Sequence, residues 1–332
     1  MKCKITNEKM EPFMSFGKMP SANGFLEKKD FKSEFFYHME VGFSKKISLF
    51  QLNRFSNPKK IHNEKYPFYT SSSEYMKVHF KKYAEWLQKN YLKSNSKLIE
   101  IGSNDGTLLK NFSKTNIDYV GFEPSINLSK QAINKNVKTI NAFFNKESIK
   151  SLKNFKNETD VICAANVIAH IPDLKDLISS TDMLLSSKGV FIFEEPYLGS
   201  MFSKVSYDQI YDEHIFMFSL NSIKKIFNLF DFELIDAIPQ LTHGGSIRYV
   251  IGRKNKHKIH IRVNNGLGSE KDKKLDDLSS CLEFKKNCEN SKKKVSDALK
   301  KFKGNGKKIC GYAATAKSTT ILNYCNLNTD II

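Results

Sequence analysis

Arginine is scarce in this chain: Arg54, Arg248, Arg253 and Arg262 are the only arginines among 53 basic residues. Proteins that read nucleic-acid bases lean on the planar, two-pronged guanidinium. The formal charge of +18 is carried by dispersed lysine, so it points away from nucleic acid and towards a basic surface that attracts an anionic, phosphate-bearing small molecule. Cysteine is also sparse. Cys3, Cys163, Cys281, Cys288, Cys310 and Cys325 form no CxxC pair, which argues against a disulfide framework. No apolar run approaches the roughly 20 residues that span a bilayer, and no apolar segment follows the N-terminal lysines, so neither a membrane anchor nor export is expected and the protein is placed in the cytoplasm. What is present is a chain of 332 residues, 40% hydrophobic and 12% aromatic, long enough for two or three domains with ample core.

The most informative stretch is residues 97–110, Lys-Leu-Ile-Glu-Ile-Gly-Ser-Asn-Asp-Gly-Thr-Leu-Leu-Lys. Leu98, Ile99 and Ile101 read as a buried strand, Gly102 and Gly106 bracket a turn that lets backbone approach a ligand, and Leu108 and Leu109 begin a helical face. Such a helix start points free N–H groups at whatever sits there. Dinucleotide loops carry three glycines as GxGxxG; here Asn104 stands near the middle glycine's place, and asparagine is among the few side chains that tolerate positive φ. The loop therefore suits a ligand without phosphates. The next strand, Tyr119-Val-Gly-Phe-Glu123, ends in a carboxylate able to accept both hydroxyls of a ribose. Together these segments resemble the S-adenosylmethionine (SAM) site of Rossmann-like methyltransferases, with Glu100 ending the strand, Gly102 and Gly106 allowing close approach, Asn104 and Asp105 at the methionine end, Glu123 on the ribose and Ser125 at the adenine edge.

Further along, residues 160–165 read as a buried strand, Leu174 to Leu185 as a helix and 189–193 as a strand, followed by a helix over 222–230 and strands over 232–236 and 247–251. This alternation implies an α/β fold with a mainly parallel sheet and helices on both faces, in which ligands bind beyond the carboxyl ends of the strands. The polar residues found there are Asn166 and His170, Glu194-Glu-Pro-Tyr197, Tyr211-Asp-Glu-His214, and His243-Gly-Gly-Ser-Ile-Arg248. Residues 270–303 read as a lysine-rich helix or helix pair with Leu275, Leu278, Leu282, Val295, Leu299 and Phe302 as its apolar face. Residues 307–325 read as a strand, a small-residue loop and a helix.

In this order these segments resemble the SAM-dependent C-methyltransferases that act on nucleotide-linked keto-deoxysugars. The likeness runs from Pro20-Ser-Ala-Asn-Gly-Phe-Leu and Ser71-Ser-Ser with Met76 and His79 to Gly311-Tyr-Ala-Ala-Thr-Ala-Lys317. It implies a small N-terminal lid domain over 1–80, a Rossmann-like class I methyltransferase domain over 81–255, and a C-terminal α/β subdomain over 256–332 that is incomplete, since family members continue further. The family's lid holds zinc with two CxxC pairs. Here Thr6, Ser44 and Ile47 stand where Cys3 would need partners, and one cysteine cannot build a tetrahedral site. No structural zinc is expected, and Phe13, Phe16, Phe25, Phe35 and Phe36 are expected to hold the lid by packing.

Carbon methylation requires a proton α to a carbonyl, removable by a base, as a 4-keto sugar provides. The resemblance and the chemistry together make His214 the first choice as general base, because imidazole titrates near working pH, with Glu213 or Tyr211 orienting it or holding the enolate oxygen. His170 is the competing base, and Asn166 positions substrate or cofactor. Tyr69 either reaches the sugar or packs in the core, and Glu195 and Tyr197 either touch the sugar or cap a turn. His243, Arg248 and Lys317 are the substrate or diphosphate contacts. The expected activity belongs to deoxysugar, surface-polysaccharide or glycoside biosynthesis. Methyl transfer to sugar oxygen or nitrogen would use the same cofactor loop without an α-proton base, and a non-catalytic binding role is the third reading.

Overall fold

The structure, a computed structural model, describes residues 1–24, 26–312 and 315–332. The chain opens with antiparallel strands β1 (Pro12–Pro20), β2 (Phe36–Ser44) and β3 (Leu49–Leu52). Helix α1 (Glu74–Asn90) follows, with the Ser73 side chain accepting the Met76 N–H at its start. Its Phe80, Tyr83, Ala84 and Leu87 are buried, the spacing of one helical face.

The main layer is a seven-stranded sheet. Its elements alternate along the chain as β4 (Lys97–Ile101), β5 (Asp118–Phe122), α2 (Ile126–Asn134), β6 (Thr139–Ile140), β7 (Thr159–Ala165), α3 (Leu174–Leu184) and β8 (Leu185–Pro196). Next come α4 (Leu198–Lys204), β9 (Phe216–Met217), α5 (Leu220–Asn228), β10 (Phe232–Gln240) and β11 (Ser246–Arg253). The sheet order is β6-β5-β4-β7-β8-β11-β10, parallel through β8 and antiparallel at β11. The chain winds outwards in one direction from β4 and in the other from β7, so the crevice between these two strand ends is where such a sheet receives its ligand. The α/β class read from the sequence is the fold that forms.

Three local expectations fail for identifiable reasons. Residues 109–112 make a 3-10 turn rather than the start of an α-helix. Asn111, Ser113 and Thr115 give their side-chain hydrogen bonds to nearby backbone carbonyls, a local alternative to helical pairing. Residues 307–312 carry no strand, and among the described residues no strand lies there to pair with one. Helices α6 (Ile261–Asp272), α7 (Leu278–Gly304) and α8 (Ala316–Tyr324) complete the chain. The buried face of α7 is Ser280, Cys281, Phe284 and Cys288, while Leu282 and Phe302 of the expected face are exposed.

The small sheet takes β9 as its fourth strand, and α4, α7 and α8 cover it. Phe13, Phe16 and Phe50 share one core with Met201, Phe284 and Tyr324. This core therefore gathers the beginning, middle and end of the chain, on both sides of the divisions drawn at 80 and 255. Phe13 and Phe16 do pack as expected, but Phe35 and Phe36 lie at the surface, 64% and 38% exposed, and Phe25 lies outside the described residues. At the degenerate metal position the Cys3 Sγ accepts the Thr6 N–H at 3.4 Å, and the Ser44 Oγ accepts the Ile47 N–H at 3.5 Å while donating to Glu8. Among the described residues no group of three or more His, Cys, Asp or Glu side chains is arranged to hold a metal ion, and no helix is long and apolar enough to cross a membrane.

Candidate active site

A cavity of about 400 Å³ opens at the carboxyl ends of β4, β5 and β7. Gly102 lines it with φ +67°, and a Cβ there would stand 2.4 Å from Val167 Cγ2, so the turn is closed to side chains on steric and conformational grounds. Gly106 has φ +78° and would meet Val137 at 2.9 Å. Asn104, with φ +51°, takes the left-handed conformation expected of it. Glu123 projects from the end of β5 and accepts the N–H groups of Asn104 at 2.9 Å and Ser125 at 2.7 Å; burial still raises its pKa above the usual carboxylate value. Glu100, also on the cavity wall, is pushed well above that value by burial, and its Oε2 has no partner. The unpartnered Glu100 oxygen and the Glu123 carboxylate beside a strand-end crevice fit a cofactor rich in polar groups, and the glycine turn leaves the close approach free.

Asp105 and Ser125 are placed differently. The Asp105 carboxylate ties the segment over 69–73 to the loop by accepting the Ser71 N–H at 3.2 Å, Lys135 Nζ at 3.1 Å and the Thr107 hydroxyl at 2.6 Å. Burial alone would raise its pKa, but these donors hold it below the usual value. Asn104 completes the clamp, its Oδ1 accepting the Thr70 N–H and its Nδ2 donating to the Phe68 carbonyl. Ser125 stands at the start of α2, its N–H given to Glu123. Tyr69 turns towards α2, where its hydroxyl accepts from Asn127 at 2.8 Å. Tyr66, which the sequence reading passed over, is on the cavity wall with His62, Phe143 and Phe144. Phe143 and Phe144 follow β6 and obey the same strand-end rule, but that strand is two residues long and left no periodic signal.

The histidines gather where these walls meet. His170 lines the cavity, its Nδ1 3.6 Å from Glu213 Oε2. His214 stands behind it, ring centroids 5.0 Å apart, with Nδ1 2.7 Å from the Gln209 carbonyl and Nε2 2.8 Å from the Tyr211 hydroxyl. The carbonyl contact requires the proton on Nδ1, so Nε2 is the acceptor for Tyr211. Burial and the neighbouring His170 push the His214 pKa well below 6.5, and burial keeps the Tyr211 phenol protonated. For His170 burial acts downwards too, but Glu213, Glu195 and Asp212 outweigh it and raise the pKa above 6.5. Glu213 is correspondingly held below the usual carboxylate value against its burial, chiefly by His170. Asn166, with φ +58°, lines the cavity with its Oδ1 unpartnered. His243, also on the wall, has a free Nε2 and a pKa lowered to about 4 by burial and by Lys317; Lys317 itself is half-buried.

Three expected substrate contacts are engaged elsewhere. Arg248 is buried, with Nε and Nη2 at 2.7 and 2.6 Å from Glu194 Oε1, while His79 lies 2.6 Å from Oε2. The guanidinium stacks on Tyr83 and Trp86 and does not reach the cavity. Glu195 caps the turn that carries His170, its Oε1 accepting the N–H groups of Val167, Ile168 and Ala169 at 2.9, 2.6 and 3.2 Å. Tyr197 hydrogen-bonds Glu270, which in turn accepts the Leu220 and Asn221 N–H groups at the start of α5.

A family model described as a methyltransferase domain matches residues 74–237, and one described as a C-methyltransferase C-terminal domain matches residues 241–332. The C-methyltransferase NovU of Streptomyces niveus is 25% identical over 317 residues, which cover 95% of this chain and 75% of that protein. Among solved structures, the PH0226 protein from Pyrococcus horikoshii OT3 aligns over 56% of this chain and 95% of its own with 16% identity and a TM-score of 0.45. Magnesium protoporphyrin IX methyltransferase from Synechocystis PCC 6803 with bound SAM aligns over 54% and 79% with 13% identity and a TM-score of 0.41.

Proposed function

This chain belongs to the SAM-dependent C-methyltransferases, and we propose that it methylates the carbon α to the ketone of a nucleotide-linked 4-keto-deoxysugar, through an enolate formed by a histidine of the cluster described above. The observation that carries the reading is His170, backed by Glu213, on the wall of the same cavity that Gly102 and Glu123 line.

Bound against Gly102 and Glu123, SAM supplies an electrophilic methyl group. The protein's own residues must make a carbon nucleophile to meet it. His170 takes the α-proton on the cavity side, and Glu213 stabilises the imidazolium that results. His170 is favoured over His214 because its ring borders the cavity and its pKa is raised, whereas both ring nitrogens of His214 are engaged and its pKa is lowered. His214 and Tyr211 then serve as a neutral hydrogen-bonded pair behind the base. Tyr66 on the cavity wall remains a phenol, because burial raises its pKa, and is suited to donate to the enolate oxygen. Lys317, close to His243 of the cavity wall, is suited to meet an anionic diphosphate.

The test is an incubation with methyl-labelled SAM and a panel of nucleotide-linked 4-keto-deoxysugars in D₂O, read by mass spectrometry and carbon NMR. The expected product carries a new carbon-bound methyl, and without SAM the α-position exchanges its proton for deuterium. His170→Gln loses both while retaining SAM binding. A methyl on oxygen or nitrogen overturns the proposal; exchange that survives in His170→Gln and disappears in His214→Gln moves the base to His214.

A further inference from the structure

We propose that Asn23 is a positioning residue for this reaction: from the N-terminal unit it holds Glu213 against His170, so that the base and its carboxylate partner are assembled only when that unit is docked. The inference rests on the enolate reading given above for its catalytic meaning, and on contacts of this chain for its geometry.

The segment after β1 reaches across to Asp212 and Glu213. The Ala22 N–H is donated to Asp212 Oδ1 at 3.0 Å, the Ser56 hydroxyl to Asp212 Oδ2, and Asn23 Nδ2 to Glu213 Oε1. Ser21 and Ser56 hydroxyls lie 3.2 Å apart, and the Thr319 hydroxyl of α8 donates to the Ala22 carbonyl at 3.4 Å. The turn over 21–23 is thus held by residues near 56 and near 319.

The two carboxylates are used differently. Both oxygens of Asp212 are taken by the N-terminal unit, as in a purely structural tie. Glu213 is divided: Oε1 goes to Asn23, and Oε2 is left facing His170 Nδ1 at 3.6 Å. A buried carboxylate oxygen without a donor is costly, so removing Asn23 lets the group turn to find one and withdraws Oε2 from His170. The ionisable groups around Glu213 are His170, His62, Asp212, Tyr37, Tyr66 and Tyr211; those around His170 are Glu213, Glu195 and Asp212, with His62, His214 and His243 beside it. Burial opposes charge on His170, and Glu213 is the foremost group that counters it.

The experiment follows the His170 ring by carbon-detected NMR through a pH titration of the full chain, its resonance assigned by disappearance in His170→Gln. Asn23→Ala truncates a half-buried side chain and is expected to move the His170 inflection towards acid by about one pH unit, with SAM affinity kept and the methylation rate lowered about tenfold. An inflection that stays in place or moves to higher pH overturns the proposal. In the unmodified protein the Asn23 side-chain amide nitrogen should follow the same inflection as His170; an amide that does not titrate also overturns it, whether or not the variant folds. A shifted inflection in a protein that acts on no keto-sugar leaves this coupling standing and removes the substrate reading instead.

Discussion

Replacing Arg248 by leucine should remove a large part of the protein's stability, although this residue touches no cavity wall. Arg248 and Glu194 are 5% and 1% exposed, and Glu194 keeps its charge because His79 and Arg248 outweigh the cost of its burial. Taking one partner from a buried ion pair costs about 3–5 kcal/mol, since the other charge is left behind. His79 still reaches the second oxygen at 2.6 Å, which argues for the lower end, about 3 kcal/mol. The stacked guanidinium, 3.9 Å from the Tyr83 ring centre and 4.5 Å from that of Trp86, adds about 1 kcal/mol. A loss of about 4 kcal/mol compares with a total stability of about 5–15 kcal/mol for a folded protein. Trp86 is the only tryptophan in the chain, so its fluorescence in a urea titration reports the transition from within the cluster. Arg248→Lys should recover only part of the loss, because an ammonium offers neither the fork nor the flat face. Arg248→Leu combined with Glu194→Leu should be less damaged than Arg248→Leu alone, as the stranded charge is gone. A loss below about 1 kcal/mol in Arg248→Leu would refute the reasoning.

Gly102→Ala should weaken SAM binding at least about tenfold by calorimetry: the backbone strain at positive φ is about 1–2 kcal/mol, and the new methyl must displace Val167 from 2.4 Å; unchanged affinity would show that the turn does not face the cofactor. Glu195, raised by burial to about 7 from 4.5, holds in the folded state a proton that the unfolded chain has released across that window. Stability should therefore fall as pH rises from about 4.5 to 7, by up to about 3 kcal/mol, and Glu195→Gln should flatten the decline in urea midpoints; an equal slope in both proteins would mean the carboxyl is ionised throughout.

What the sequence revealed and concealed follows from the range over which each feature is determined. Strands β4, β5, β7 and β8 are legible because parallel strands covered on both faces read as apolar runs, and Gly102, Asn104 and Glu123 are legible because turn geometry and strand ends are local. Arg248 is not local. Whether a guanidinium at the start of β11 meets a ligand or a carboxylate depends on Tyr83 and Trp86 of α1, more than 150 residues earlier in the chain, and no spacing rule connects them. His62 and Tyr66 come from a segment with little periodicity, and contacts from the distant Asn104, Asp105 and Asn127 hold it over the cavity. The buried face of α7 is not legible from its leucines, because Cys281 and Cys288, which behave as small apolar groups, supply it with Phe284.

The second core has a consequence for how the chain matures. Strand β1 at residues 12–20 packs against α8 at residues 316–324, and the fourth strand of the small sheet comes from residues 216–217. On the ribosome the first three strands emerge early, as a sheet whose apolar face lacks its partners until residues 198–204, 278–304 and 316–324 have been made. Contacts this distant form slowly, and a half-covered sheet is open to wrong partners in the interval. The seven-stranded sheet, whose strands and crossovers are neighbours in sequence, can assemble before the small sheet, which must wait for its fourth strand from residues 216–217 and for the helices over 278–304 and 316–324.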